Sequence, residues 1–298
     1  MQVPQFAFVA VTPDAPLRRY VERLWYARGR VTYGSEAILP DGNVSLMINF
    51  GDPFDVDIAR SGTRRHTRDA WVVGPQRGRL LNRPLGETHM IGVTFRPEGA
   101  HAVLGLPVAT LANDIVSLDD LWQRCAHEWR ERLQSIPRPR DKLVRLQQLL
   151  MSRLRPDERR LSRIRRALAM LWAEPPRSVR SVCDALGVSN KHLIAQFRTY
   201  VGLPPKVVQR LHRFNQLIRS VDGDSGRWSD LAQACGYHDQ AHMNRDFRHF
   251  SGVSPSEYLR RRAAIYGQGI GDPETAGFVP SPETESIEFA REVVNGDR

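Results

Sequence analysis

The stretch ACGYHDQAHMNRDFRHFSG, residues 234–252, decides how the second half of the chain folds. Its large apolar residues Met243, Phe247 and Phe250 recur at i, i+4 and i+7, the spacing of one face of an α-helix. That spacing predicts a helix with a buried apolar stripe. The opposite face and its flanks are small, basic or amide in character and comprise Gln240, Ala241, Asn244, Arg245 and Arg248.

The same pattern occurs once earlier in the chain. VCDALGVS (182–189) matches LAQACGYHD (231–239) at an offset of 49, and the following segment matches at an offset of 50. Each copy predicts a short helix, a glycine that permits the turn, a capping residue and a second helix. The capping residues are Ser189 and Asp239, whose side-chain oxygens can accept a backbone N–H at a helix start. The repeat therefore predicts two helix-turn-helix units.

The outward faces of the two second helices suit the major groove of double-stranded DNA. In the first copy this face carries Asn190, Lys191, Ile194, Ala195 and Arg198. Arginine and lysine pair with guanine, asparagine and glutamine pair with adenine, and small residues admit close approach. A linking helix over about residues 206–221 would span ~24 Å. With the width of a helix added, it could bring the two reading helices to successive major grooves ~34 Å apart.

Residues 183–218 and 228–262 resemble the signature of the AraC/XylS transcription regulators, and the resemblance covers roughly 161–262. It implies two helix-turn-helix subdomains joined by a long helix, a sequence-specific DNA-binding function in transcription, and RNA polymerase as a further candidate partner. Carried over by position, it implicates as base contacts Asn190, Lys191, Ile194 and Ala195 in the first copy and Gln240, Ala241, His242 and Arg245 in the second. Ile194 and Ala195 have no hydrogen-bonding group, so the second copy is expected to be the stronger reader.

The first half of the chain has the alternation of half-buried β-strands. In NVSLMINF the apolar residues Val44, Leu46, Ile48 and Phe50 fall on one face. Short strands divided by Gly, Pro and Asp indicate an antiparallel sandwich or a cupin-like barrel, so the fold class is α+β. The expected divisions are a β-rich domain over 1–135, a helical linker over 136–158, the DNA-binding domain over 159–265 and a disordered acidic tail over 266–298.

The segments LPDGNVSLMINFGDP, WVVGPQ and IGVTFRPEGAHAVLGLP are similar to the sensor half of a subgroup of the same family. That similarity implies a module that binds a small-molecule effector or forms a homodimer. The candidate effector-lining residues are Asn49, Trp71, His89 and Arg96. A second place for dimerisation is the stripe Leu143, Leu146, Leu150 and Leu154, which either pairs two protomers or packs on its own domain.

Charge and composition narrow the class of protein. Residues 157–266 hold 19 Lys and Arg against 10 Asp and Glu, which favours a polyanionic partner, whereas residues 267–298 hold 2 against 7. No apolar run approaches the ~20 residues of a membrane span. The three cysteines have no paired spacing, which argues against a disulfide framework or a zinc site and for a reducing cytoplasm.

No metal, cofactor or catalytic activity is expected. His238, His242 and His249 do not share one helix face, and no set of nucleophile, base and acid has a catalytic spacing. Two alternatives stay open. One is a DNA-repair or enzymatic protein that uses the same module to bind DNA, and the other is an architectural protein that binds DNA without sequence preference.

Overall fold

The N-terminal half of the computed structural model is a sandwich of two antiparallel sheets; the structure describes residues 7–30, 34–123, 125–221, 228–266 and 278–280. The first sheet has six strands, in the spatial order β1 (Ala7–Val11), β2 (Val21–Arg30), β9 (Glu87–Phe95), β4 (Ser45–Asn49), β7 (Ala70–Val73) and β10 (Ile115–Ser117). The predicted α+β class and antiparallel β-rich domain are thus confirmed, with a sandwich as the form of that domain.

The second sheet has five strands, in the order β11 (Phe278–Pro280), β3 (Glu36–Ile38), β8 (Leu80–Pro84), β5 (Phe54–Ile58) and β6 (Thr63–Thr67). Its edge strand β11 comes from the C-terminal segment and pairs with β3. The expectation of a disordered tail does not hold for these three residues, because their backbone pairs with β3 at the edge of the sheet. The rest of 267–298 lies outside the described residues.

The central strands of the first sheet are buried on both faces. Ile48 pairs with Ile91 and Ala70, and this face packs against helices. Met47 pairs with Gly92 and Trp71 on the other face, which packs against the second sheet. The alternation predicted for NVSLMINF is confirmed, since Val44, Leu46 and Ile48 are all buried against the helices.

The N-terminal half, as far as it is described, also contains the α-helices α1 (Ala100–Leu104), α2 (Leu118–Trp122), α3 (Cys125–Gln134) and α4 (Pro139–Arg153). Leu143, Leu146 and Leu150 of α4 are at most 2% exposed and join the core beneath the first sheet, and Leu154 packs against it. The leucine stripe therefore packs on its own domain. The alternative that this stripe pairs two protomers is wrong, because its apolar surface is already covered.

Between Glu158 and Tyr266 the regular elements that the structure describes are all α-helices. They are α5 (Glu158–Leu171), α6 (Val179–Leu186), α7 (Asn190–Tyr200), α8 (Pro205–Ser220), α9 (Trp228–Ala234), α10 (Gln240–Ser251) and α11 (Pro255–Tyr266). Helix α8 is the predicted linking helix, and it joins the α6–α7 unit to the α9–α10 unit. Within the ranges given above, no helix is long and apolar enough to span a bilayer.

The two halves share an apolar contact. Tyr20, Ala37, Leu39 and Ala102 of the N-terminal half are buried in the same cluster as the core of the C-terminal half. The N-terminal half is therefore in direct contact with the helices that carry the helix-turn-helix units.

Candidate nucleic-acid interface

Both helix-turn-helix units turn at a glycine in the left-handed region. Gly187 has φ of +64° and Gly236 has φ of +73°, a conformation that costs free energy for any residue with a Cβ. The close approach of the paired helices is possible because Cys183 and Ala232, both small and buried, lie between them. The glycine turns predicted from the repeat are confirmed.

Each second helix begins at its predicted cap. The Ser189 hydroxyl accepts the backbone N–H of His192 at 3.2 Å, and a carboxylate oxygen of Asp239 accepts that of His242 at 2.6 Å. The hydrogen bond from His242 is the largest cause that holds the pKa of the Asp239 carboxyl below its usual range. These bonds fix where α7 and α10 start and which residues occupy their first exposed turns.

The inner faces of α7 and α10 are those expected from helical spacing. Leu193, Phe197 and Tyr200 of α7 are buried, and so are Met243, Phe247 and Phe250 of α10. Phe247 contacts three further rings, those of Phe214 on α8, Trp228 on α9 and Tyr258 on α11. The predicted apolar stripes therefore anchor both helices in the core.

The outer faces present the predicted DNA-contacting side chains to solvent. On α7, Asn190, Lys191, Ala195 and Arg198 are exposed and Ile194 is partly buried; on α10, Gln240, Ala241, Arg245 and Arg248 are exposed, and His242 and Asn244 are partly buried. None of these side chains is in the core. Contact with DNA by each of them remains a prediction.

The histidines of the second unit have individual neighbours and do not converge on a common centre. His238 approaches the Asp239 carboxylate at 3.2 Å, and the His242 ring lies edge-on to Tyr237 with centroids 5.3 Å apart. In the part of the chain that the structure describes, no group of three or more His, Cys, Asp or Glu side chains is placed to hold a metal ion.

A buried ion pair fixes α10 against α8. Both Nε and Nη2 of Arg210 donate to one carboxylate oxygen of Asp246, at 3.1 and 2.7 Å, and the Asp246 side chain is only 4% exposed. Sequence reasoning missed this pair. A signal was available, because Asp246 precedes Phe247 on the inner side of α10 and a carboxylate there needs a partner.

The first unit is held by the N-terminal half. The Tyr200 ring at the end of α7 stacks on His101, with centroids 4.6 Å apart and planes 24° apart. A Cβ at the following Gly202 would collide with Pro75 and Val108. The orientation of α7 therefore depends on residues of the β-rich domain.

The four candidate effector residues do not line one site. Trp71 faces the second sheet and His89 lies on the opposite face of the first sheet, beside Tyr26 and Phe50. The Asn49 amide donates to three backbone carbonyls of neighbouring loops, and Arg96 donates to the carbonyl of Arg18. The expectation that Asn49, Trp71, His89 and Arg96 form a common lining is wrong. Strand alternation separates two of them and backbone bonding occupies the other two.

Two family models match this chain. Residues 182–261 match a helix-turn-helix domain, and residues 9–117 match a domain of unknown function, DUF6597. No curated protein matches the chain.

Solved structures of similar arrangement include two of ToxT from Vibrio cholerae. One, determined at 1.65 Å, is 12% identical over 85% of this chain and 98% of its own, with a TM-score of 0.44. The other, bound to an unsaturated fatty acid, is 10% identical over 87% and 97%, with a TM-score of 0.45. The AraC-like transcriptional activator CuxR is 12% identical over 68% and 84%, with a TM-score of 0.26.

The matched segment 182–261 begins inside α6 and ends inside α11, so it contains both glycine turns, both caps and the linking helix α8. Over these residues the chain is similar to a helix-turn-helix domain.

Proposed function

We propose that this protein is a transcription regulator that recognises a specific site in double-stranded DNA through α7 and α10. The observation that carries the proposal is the pair of capped helices, each with a buried apolar face and an exposed face of basic, amide and small side chains. Helix α8 has 16 residues and spans ~24 Å between the two units. With the width of a helix added, that distance suits two successive major grooves, ~34 Å apart, on one side of a duplex.

The two readers differ in the contacts they offer. On α10, Arg245 suits guanine and Gln240 suits adenine. On α7, Lys191 suits guanine and Asn190 suits adenine. Ile194 and Ala195 of α7 suit the methyl group of thymine or a close approach to the backbone. We therefore expect α10 to contribute more of the sequence preference than α7.

We further propose that the N-terminal half regulates DNA binding in response to a small-molecule effector. The support is an ionic contact across the boundary between the two halves. Arg165 of α5 lies 2.9 Å from the buried Glu98 carboxylate and 3.1 Å from Glu158, and it also donates to the carbonyl of Arg19. The Tyr20 hydroxyl donates to Glu158. A ligand that shifts the β-rich domain would therefore displace α5, which packs on α6 and α7.

The remaining parts of the proposal concern partners and location. RNA polymerase is the expected partner of the DNA-bound protein, and the cytoplasm is the expected location. A homodimer remains a hypothesis for surfaces other than the leucine stripe of α4, and sedimentation of the full-length protein measures it. We assign the protein no enzymatic activity.

The proposal is tested by selecting bound fragments from random DNA with the full-length protein. A specific regulator enriches one motif and prefers it to scrambled DNA by ~10³-fold or more. If the affinity is equal on all sequences and varies only with salt concentration, the protein is an architectural binder instead.

The regulatory part has its own test. Promoter output from the full chain should vary with growth conditions, and output from residues 157–266 alone should not. Equal output from both under every condition would remove the sensor role.

A further inference from the structure

A groove lies between the linking helix and the second reading helix. Its volume is about 500 Å³, and it opens on the side of α10 that carries His242 and Arg245. The α8 wall is formed by side chains that are spaced three or four residues apart and so lie along one face: Lys206, Gln209, Arg210 and Arg213. The groove therefore adjoins the predicted base-reading surface and shares His242 and Arg245 with it.

The groove has an excess of positive charge. Its lining includes four Lys or Arg side chains and one carboxylate, that of Asp246. Arg210 donates twice to Oδ1 of this carboxylate, so the charge of Asp246 is paired with one of the four cations. Three cations therefore surround the groove in excess: Lys206 and Arg213 on α8 and Arg245 on α10. An anion in this space would be stabilised by all three.

Arg213 is oriented by neutral groups that leave its charge intact. Its Nη1 atom donates to the carbonyl of Gly236 at 3.2 Å, and its guanidinium lies 5.1 Å from the centroid of the Tyr237 ring. Both partners belong to the turn of the second helix-turn-helix unit. Arg213 therefore presents a fixed cation beside the turn that precedes α10.

We propose that this groove binds a phosphate of the DNA backbone, with Lys206 and Arg213 as its ligands. The inference rests on the proposed function and extends it, because it makes α8 a DNA-contacting element as well as a spacer. Because His242 and Arg245 of α10 line the same groove as the α8 side chains, a strand contacted by α10 would pass its opening. Phosphate contacts fix the register of a protein on the duplex and carry no sequence information. A phosphate held here would set the position from which Arg245 reaches its base.

The test compares Lys206→Gln and Arg213→Gln in the full-length protein with a matched control, Arg219→Gln, which removes an exposed charge from α8 outside the groove. Affinity is measured on the selected site and on scrambled duplex across a range of salt concentrations. One phosphate contact contributes ~0.9 to the slope of log K against log salt. Each groove variant should therefore lose about fourfold in affinity at 0.2 M salt, equally on both duplexes, and lower the slope by about 1. The control should keep the wild-type slope.

Three results would overturn the inference. The first is that both groove variants keep the wild-type dependence of affinity on salt concentration. The second is a loss confined to the selected site, which would make the changed residue a base reader. The third is binding of inorganic phosphate to the DNA-free protein by calorimetry that the groove variants abolish while their slopes stay unchanged, which would assign the groove to a free phosphate ligand.

The proposed function fails by a different result, namely a wild-type protein that shows no preference for any sequence. Arg213→Lys separates charge from folding, because it keeps the cation and changes the bond to Gly236. It should retain the wild-type slope. If Arg213→Lys lowers the slope of log K against log salt as much as Arg213→Gln does, at an unchanged melting temperature, the phosphate role is contradicted.

Discussion

Replacement of Phe247 by alanine should destabilise the second helix-turn-helix unit by about 4–5 kcal/mol. The Phe247 side chain is fully buried, and burial of a phenylalanine contributes about 1.5–3 kcal/mol. The cavity left by truncation raises the usual cost to about 3–5 kcal/mol. Phe247 also contacts Phe214, Trp228 and Tyr258 with centroids 5.5 to 6.0 Å apart, and such ring pairs contribute beyond their area. The upper part of the range is therefore expected.

The assay is thermal and urea unfolding of the full-length variant beside wild type. For a chain of this size a loss of 4 kcal/mol lowers the melting temperature by about 8 °C. Arg248→Ala, one residue along the same helix but exposed, is the matched control and should shift it by no more than about 1 °C, as exposed substitutions usually change stability by less than 0.5 kcal/mol. An unchanged melting temperature for Phe247→Ala would refute the assignment of this face of α10 to the core.

Three further substitutions test other parts of the account. Arg245→Ala should cost ~1–3 kcal/mol at one base pair of the selected site and relax specificity there; an equal loss on every sequence, measured by competition binding, would make Arg245 a phosphate contact. Asp239→Ala removes the α10 cap and should lower the free energy of unfolding by ~1 kcal/mol, whereas Asp239→Ser should restore most of it; no difference between the two in urea titrations would contradict the cap. Burial lowers the pKa of His101, so the unfolded chain binds more protons below pH ~6.5, and the stability from a neutral ring, present above that pH, is lost as pH falls. His101→Phe keeps the stack on Tyr200 and should reduce the loss of stability between pH 7.5 and 5.5. An unchanged loss would contradict the assignment of that loss to protonation of His101.

The features that sequence reasoning predicted correctly are local ones. The caps at Ser189 and Asp239, the left-handed glycines and the buried faces of α7 and α10 each depend on residues within two helical turns of one another. Strand alternation around Val44 to Phe50 is equally local. The internal repeat predicted that the two units share one fold, because the same pattern of helix, glycine, cap and second helix occurs in both copies.

The features that it missed depend on contacts between distant residues. The Arg210–Asp246 pair joins positions 36 residues apart, and the Tyr20–Glu158 bond joins positions 138 apart. The candidate effector residues failed for the same reason, since the side of the sheet that Trp71 faces is fixed by its pairing with Met47.

Two further features, the buried lysine of α4 and the C-terminal strand, depend on partners that only the fold identifies. Lys142 is buried because its Nζ atom donates to the carbonyls of Leu133 and Gln134 at the end of α3, which satisfies its charge with backbone oxygens. A lysine in an amphipathic sequence gives no sign of this. The strand Phe278–Pro280 likewise has its partner in β3, more than 200 residues earlier.

Protection of guanine N7 on the selected site tests most directly whether α7 and α10 occupy successive major grooves. The account predicts two groups of protected guanines about one helical turn apart, ~10 base pairs, on one side of the duplex, because lysine and arginine contact guanine through N7 and O6. Arg245→Ala should remove protection from one group and leave the other. A single protected group, or two groups on opposite sides of the duplex, would contradict the account.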